Sequence, residues 1–233
     1  MARAESGEPR LGLRERKKLM TRQAILGTAH AMFAERGYDN VTVAEIADAV
    51  NVTAKTVFGY FPSKEDLVFS DEDQMRERLV ARIRDRAPDE TPLDAMAALI
   101  RELMAEAGGD VVADLRRWRQ MMGDSAVLRS RMRLMWERFE EVLAERLAEE
   151  AGQTRHAPAP RVAAAQLVLV FRLMCSDEVL GYLREYPTRR QTAALTEWLD
   201  AATALVGHGI GGYDPRRGFG LPSTRRGRSG GLL

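Results

Sequence analysis

Only one cysteine occurs in the 233 residues, at position 175. A single thiol excludes an intrachain disulfide and a cysteine-based zinc site. Its place inside an apolar helical pattern reads as a small buried hydrophobe rather than a nucleophile. Histidine is nearly as scarce, with His30, His156 and His208 far apart along the chain. No HExxH, GxSxG or Gly-rich phosphate loop is present. No catalytic residue, metal ligand or cofactor is therefore expected, and the chain does not read as an enzyme. Long apolar runs are missing too: the longest, around Ala163–Val170, is short and broken by Gln166. This excludes a membrane span and a signal peptide, so the bacterial cytoplasm is the expected location. No run of alternating β-branched residues flanked by turn signals appears, which argues against strands.

What is present is helical periodicity punctuated by proline. The composition, 45% hydrophobic and 30% charged, is that of an ordinary soluble domain, and prolines fall at apparent junctions, at 62, 88, 92, 158, 160 and 187. The spacing predicts helices over about 13–35, 43–50, 54–61, 63–86, 92–106, 110–122, 125–150, 161–184 and 190–206. Gly37, Gly108-Gly109 and Gly123 are read as stops, and 152–160 as a loop. Residues 1–13 and the Gly- and Arg-rich stretch 207–233 read as disordered. The net charge of +1 hides an uneven distribution. Residues 1–22 carry seven Lys/Arg against three Asp/Glu, and residues 207–233 carry five Arg against Asp214, leaving −7 for 23–206. Basic ends can reach phosphates; they can also simply keep a chain soluble.

The most informative stretch is residues 42–66, TVAEIADAVNVTAKTVFGYFPSKED. Thr42 and Glu45 form a capping-box pattern, and Val43, Ile46, Ala47 and Val50 share the face a buried helix needs. Asn51 tolerates the left-handed conformation of a tight turn, and Thr53 starts a second helix carrying Val57 and Phe61 inward. Lys55, Thr56, Gly59 and Tyr60 remain on its outer face. This is the layout of a helix-turn-helix, whose second helix enters the major groove of DNA.

The ordered set Ile25-Leu26, Ala29, Phe33, Gly37-Tyr38, Thr42-Val43, Ile46-Ala47, Val52-Thr53 and Val57-Phe58-Gly59-Tyr60-Phe61-Pro62-Ser63-Lys64-Glu65 resembles the TetR family of transcriptional regulators. The resemblance implies an all-α protein of about nine helices. Its expected parts are a three-helix DNA-binding domain at 14–62 and a ligand-binding and dimerisation domain at 63–206. It further implies a homodimer on a palindromic double-stranded operator, released by a small-molecule effector.

Matched to the family pattern, Thr42 contacts a phosphate, and Thr53, Ala54, Lys55 and Thr56 open the recognition helix. Lys55 has two options, guanine O6/N7 or a phosphate, and Thr56 has thymine or a phosphate. Tyr60 and Lys64 match positions that grip the backbone, and Arg22 belongs with Arg14, Arg16, Lys17 and Lys18 in a cluster facing phosphates or the minor groove. Phe58 stands where the family usually has tyrosine, leaving apolar contact with a thymine methyl. Asn51 replaces a common glycine, and Gly59, costly in mid-helix, lets the backbone approach DNA.

Methionines and aromatics recur in the later helices. Met96, Leu99, Leu103, Trp118, Met122, Met135, Phe139, Phe171 and Met174 are the candidate lining of a pocket for a hydrophobic or amphipathic molecule. Asp177 and Glu178 interrupt an apolar pattern, with a cationic ligand, an arginine partner or solvent as their alternatives. The resemblance places the dimer interface on the last two helices, where Val162, Gln166 and Val170 share one face and Leu195, Trp198 and Leu199 another. Beside the repressor stand two other readings: an activator or ligand-independent regulator, and a carrier or enzyme with a vestigial DNA-binding head.

Overall fold

Helix ends in this chain are set by short polar side chains, proline and glycine, and the computed structural model shows which of them act. It describes residues 12–107 and 110–209, where all regular structure is helical. Ten α-helices follow in order among the described residues: α1 (Leu13–Arg36), α2 (Val43–Ala49), α3 (Ala54–Tyr60), α4 (Glu72–Arg84), α5 (Pro92–Glu106), α6 (Val111–Met122), α7 (Ala126–Glu150), α8 (Pro158–Met174), α9 (Asp177–Leu183) and α10 (Thr188–His208). Single 3-10 turns lie at Tyr38–Asn40 and Glu65–Leu67. No helix among the described residues is long and apolar enough to cross a membrane. The stop expected at Gly108-Gly109 lies outside the described residues. So do positions 1–11 of the expected arm and the tail beyond 209; Leu13 already opens α1, and Gly207 and His208 belong to α10.

Two helices differ from the sequence expectation. The pattern from Ser63 to Arg86 begins with a non-α segment, and α4 starts only at Glu72. Ser63 and Asp66 do form a reciprocal box, with Ser63 N donating to Asp66 Oδ2 at 2.9 Å and Asp66 N donating to Ser63 Oγ at 3.2 Å. That box closes a single 3-10 turn. Leu67, Val68 and Phe69 are all buried, and three consecutive residues cannot share one face of an α-helix, where each step turns about 100°. The chain therefore leaves the helix to bury them. The second difference is a break in the helix expected over 161–184. Ser176 caps a separate α9, accepting from Val179 N at 3.3 Å. Asp177 and Glu178 then occupy the first turn of α9, where negative charge suits the helix dipole. At its other end α8 starts early, because Pro158 is the first helical residue, where a missing N–H costs nothing.

The chain divides into two compact units. Of the described residues, one takes those up to Glu77 together with Ala113–Glu137; the other takes those within 78–112 together with those from Arg138 to 209. In the first, Ile25, Ala29 and Phe33 of α1, Ile46 and Ala47 of α2, Val57 of α3, Leu67 and Leu128 are buried. His30 Nε2 meets Leu67 O at 2.7 Å, and Ser125 Oγ donates to Asp39 Oδ1 at 2.9 Å. The second unit packs α5, α8 and α10 against one another. Its core includes Met96, Leu99, Phe139, Leu143, Val168, Leu195 and Leu199. Thr91 and Asp94 form the capping box of α5, with Pro92 at the first helical position. Buried Gln191 is satisfied by donating from Nε2 to Leu183 O at 2.9 Å and Tyr186 O at 3.0 Å. That bond finishes α9 from outside.

Because the Ser176 side chain caps α9 at the break, Ser176→Ala should cost about 1 kcal/mol. It should also raise amide exchange selectively across 177–183. Thermal melts and exchange measured by mass spectrometry check both; exchange unchanged in that segment would mean the cap is not what holds α9.

Candidate nucleic-acid interface

The head of the first unit is assembled from α1, α2 and α3. Thr42 Oγ1 accepts from Glu45 N at 3.2 Å, while Thr42 N and Oγ1 donate to Glu45 Oε2 at 2.7 and 2.8 Å. The other oxygen of Glu45 accepts from Arg36 Nη2 at 2.7 Å. Arg36 also donates to Asn40 O at 2.8 Å, so the last turn of α1 is tied to the first turn of α2. These bonds, the one from Arg36 foremost and those from Thr42 next, hold the Glu45 carboxyl down to about 2.

The turn between α2 and α3 closes on Asn51, the only described non-glycine residue with positive φ, at 54°. Val52 N donates to Ala47 O at 2.9 Å and Asn51 N to Asp48 O at 3.0 Å. This is the Schellman arrangement, and asparagine is among the few side chains that tolerate its left-handed residue. Thr53 then caps α3, accepting from Thr56 N at 3.1 Å, and its hydroxyl lies 2.9 Å from that of Thr56. Val57 and the following Phe61 are buried and anchor the helix from beneath.

Lys55, Phe58 and Gly59 are left exposed on α3; Ala54, Thr56 and Tyr60 are half-buried, and Thr42 and Thr53 are exposed. Lys55 has no ion pair among the described residues. A Cβ added at Gly59 would meet nothing within 4 Å, and its φ is ordinary. Nothing among the described residues requires glycine there. Exposed Arg14, Arg16, Lys17 and Lys18 add positive charge along the first turns of α1.

Two of the expected contact residues also have partners within the head. Lys64 Nζ donates to Tyr38 O at 2.6 Å and sits 3.9 Å from the centre of the Tyr38 ring. Burial lowers its pKa. Arg22 lies over the Phe61 ring at 5.1 Å and donates to Ser70 O at 3.4 Å. Both cations are engaged by partners within the head, because aromatic faces and free carbonyls lie within their reach. Tyr38, which sequence reasoning used only as a family marker, organises this corner: its hydroxyl donates to Glu65 Oε1 at 2.9 Å. Burial first and Glu65 second raise its pKa. Arg131 of α7 was also missed. It pairs with buried Glu72 and lies over the Phe69 ring at 5.2 Å. No local pattern marks that partnership.

The candidate pocket residues divide between the two units. Trp118, Met122 and Met135 belong to the first unit; Met96, Leu99, Leu103, Phe139, Phe171 and Met174 belong to the second. All but Trp118 and Leu103 are buried. The candidate dimer face divides by exposure. Val162, at 55%, and Gln166 are exposed and Trp198 is half-buried, whereas Val170, Leu195 and Leu199 are buried and present no surface to a second chain.

The fold and this face define an all-helical protein carrying a helix-turn-helix. Residues 25–70 match the family described as bacterial regulatory proteins, tetR family. It is 36% identical over 93 residues to the HTH-type transcriptional regulator TcmR of Streptomyces glaucescens, covering 40% of this chain and 41% of that protein. It is 34% identical over 79 residues to the HTH-type transcriptional regulator LuxR of Vibrio harveyi, covering 34% and 37%. The match thus spans about two fifths of the length of these curated relatives. A crystal structure of NalD, the secondary repressor of the MexAB-OprM multidrug efflux pump in Pseudomonas aeruginosa, shares the fold. Its TM-score is 0.51 at 22% identity, covering 78% of this chain and 96% of that one.

The Glu45 cluster carries a pH signature. A carboxyl held at about 2 against an ordinary 4.5 contributes stability that is complete above 4.5 and lost as pH falls towards 2. Glu45→Gln should therefore melt below the unaltered protein at pH 7, with the gap closing as both are taken to pH 2. A gap independent of pH would show that the charge on Glu45 is immaterial.

Proposed function

We propose that the protein is a ligand-responsive, non-enzymatic transcriptional regulator, a homodimeric repressor that binds a palindromic operator through α3. The observation that carries this reading is the outer face of α3. On a helix capped at Thr53 and anchored by Val57 and Phe61, Lys55, Phe58 and Gly59 are exposed without a role in their own chain. A lysine, an aromatic ring and a position without a side chain are what a helix needs to reach base edges closely. Thr42, Thr53, Ala54, Thr56 and Tyr60 would then fix the backbone register, which is the work of phosphate contacts. Arg22 and Lys64 serve the same surface by setting the shape of the head through Phe61 and Tyr38.

The division into a DNA-binding domain at 14–62 and an effector and dimerisation domain at 63–206 belongs to this proposal. Within the second unit, Met96, Leu99, Leu103, Phe139, Phe171 and Met174 form a methionine- and aromatic-rich interior suited to repacking around a hydrophobic or amphipathic effector. For dimerisation the exposed residues matter, which are Val162 and Gln166 on α8 with Trp198 on α10. Two helices from each subunit would make the contact.

A mobility shift on the DNA upstream of its own gene, titrated with salt, tests the reading directly. Lys55→Ala combined with Tyr60→Ala should weaken the specific complex and lower the salt slope by about 1 for each lost phosphate contact. Undiminished affinity would remove α3 from the interface. Gly59→Ala separates reading from folding. It should stabilise α3 by up to about 1 kcal/mol, because the added methyl meets nothing, yet reduce operator affinity. A melt raised with affinity unchanged would mean the backbone does not approach DNA at Gly59.

A further inference from the structure

We infer that the outer face of α7 in the first unit is a docking surface for an acidic amphipathic helix of a partner protein. Val127, Ser130 and Leu134 of α7, with Ser63 and Glu65 of the segment after α3, line a groove of about 530 Å³. The DNA-binding reading uses none of these residues, so the two stand independently. In this half of α7 Leu128, Met135 and Trp136 are buried and supply the inward packing. Val127 and Leu134 are left 51% and 47% exposed. Seven residues apart with Ser130 between them, they share one face over two helical turns, about 10.5 Å. A groove with apolar contacts at that spacing receives the apolar stripe of another helix.

Charge decides which helix. Residues 126–138 carry arginines at 129, 131, 133 and 138 against Glu137, a balance of +3. Arg131 is taken up by Glu72 and Asp66. Arg129 and Arg133, one turn apart on the same edge of the face, are exposed. Arg133 has no ion pair among the described residues, and Arg129 reaches only the fully exposed Asp124, at 3.6 Å. The acid in the groove, Glu65, already accepts from the Tyr38 hydroxyl. Carboxylates flanking the partner's apolar stripe meet the two arginines. The same charges exclude other occupants. Both ends of this chain are basic, and a second copy would set arginine against arginine across a two-fold contact. DNA phosphates would match the arginines but leave Val127 and Leu134 without an apolar partner.

The test is selection from a displayed library of helical peptides on the full-length chain, followed by anisotropy titration of an enriched peptide. The selected sequences should be net acidic, with apolar residues at i, i+3 or i+4, and i+7. Leu134→Ser should weaken their binding about tenfold, the loss of one buried aliphatic contact. Arg133→Glu should weaken it too, and a peptide with one carboxylate changed to lysine should recover affinity for that variant. A benzophenone in the peptide's apolar stripe should crosslink the unaltered chain within 126–134, a readout that needs no variant. No enrichment, crosslinks elsewhere, or binding that neither substitution moves overturns the inference. Self-association in sedimentation that Leu134→Ser abolishes would assign the face to a second copy, and overturns it as well. Random duplex DNA bound less tightly by Arg133→Glu but equally by Leu134→Ser, with no peptide selected, would assign it to phosphates instead.

Discussion

A helix of two turns does not hold itself together in water, because nucleation costs more than so few hydrogen bonds return. The head of this protein is built around two such helices, α2 and α3, each seven residues long. Everything else about the site depends on how that constraint is met. Caps do part of it: Thr42 and Thr53 satisfy amide groups that would otherwise face water unpaired, at about 1 kcal/mol each. Burial does more. Ile46, Ala47 and Val57 are almost wholly removed from solvent, and a buried aliphatic side chain contributes about 1.5–3 kcal/mol. The Schellman turn at Asn51 then sets the angle between the helices. With caps and core holding α3 from one side, its opposite side is released from any structural duty.

The parts of this arrangement that are local in sequence were legible in it. Thr42 with Glu45, Asn51 in the turn and Thr53 before Val57 are separated by a few residues, and each obeys rules of backbone geometry that need no knowledge of the fold. The failures share a cause as well. Helix periodicity continued smoothly through Ser63–Ser70, but whether Leu67, Val68 and Phe69 must all be buried depends on what surrounds them. Cys175-Ser176 carried a cap signal that apolar residues on both sides concealed. The contacts of Lys64 with Tyr38 and of Arg22 with Phe61 have no local sign, because those partners are distant in sequence or belong to another element. The same blindness hid Arg131 and Glu72, which lie 59 positions apart.

That last pair differs in kind from the other ion pairs. Arg78 with Glu106, Arg82 with Glu90 and Arg101 with Asp200 lie at or near the surface of the second unit, where such pairs are worth about 0–1 kcal/mol. They cannot be what holds it, since one buried residue such as Phe139 outweighs several of them at about 3–5 kcal/mol. Glu72 is buried, at 7% exposure, and a buried charge left without its partner costs several kcal/mol. Arg131 also approaches Asp66 at 3.9 Å, the residue that closes the turn after Ser63. The segment leaving α3 is therefore gripped twice inside the first unit, by Tyr38 through Lys64 and Glu65 and by Arg131 through Glu72. A chain held at both ends of its connector has little freedom to let α3 tilt on its own.

Rigidity beneath the helix and freedom on its outer face have a joint consequence. Lys55, Phe58 and Gly59 contribute little to the core, so exchanging them alters stability by no more than the small propensity differences of exposed helix positions. Val57, Phe61 and the two threonine caps cannot be exchanged so cheaply. Residues on one face of α3 can thus change with little effect on folding while those on the other cannot. Glycine at 59 shows the separation clearly. Alanine would be better for the helix, and space for it is open, so the residue has no rationale within the fold.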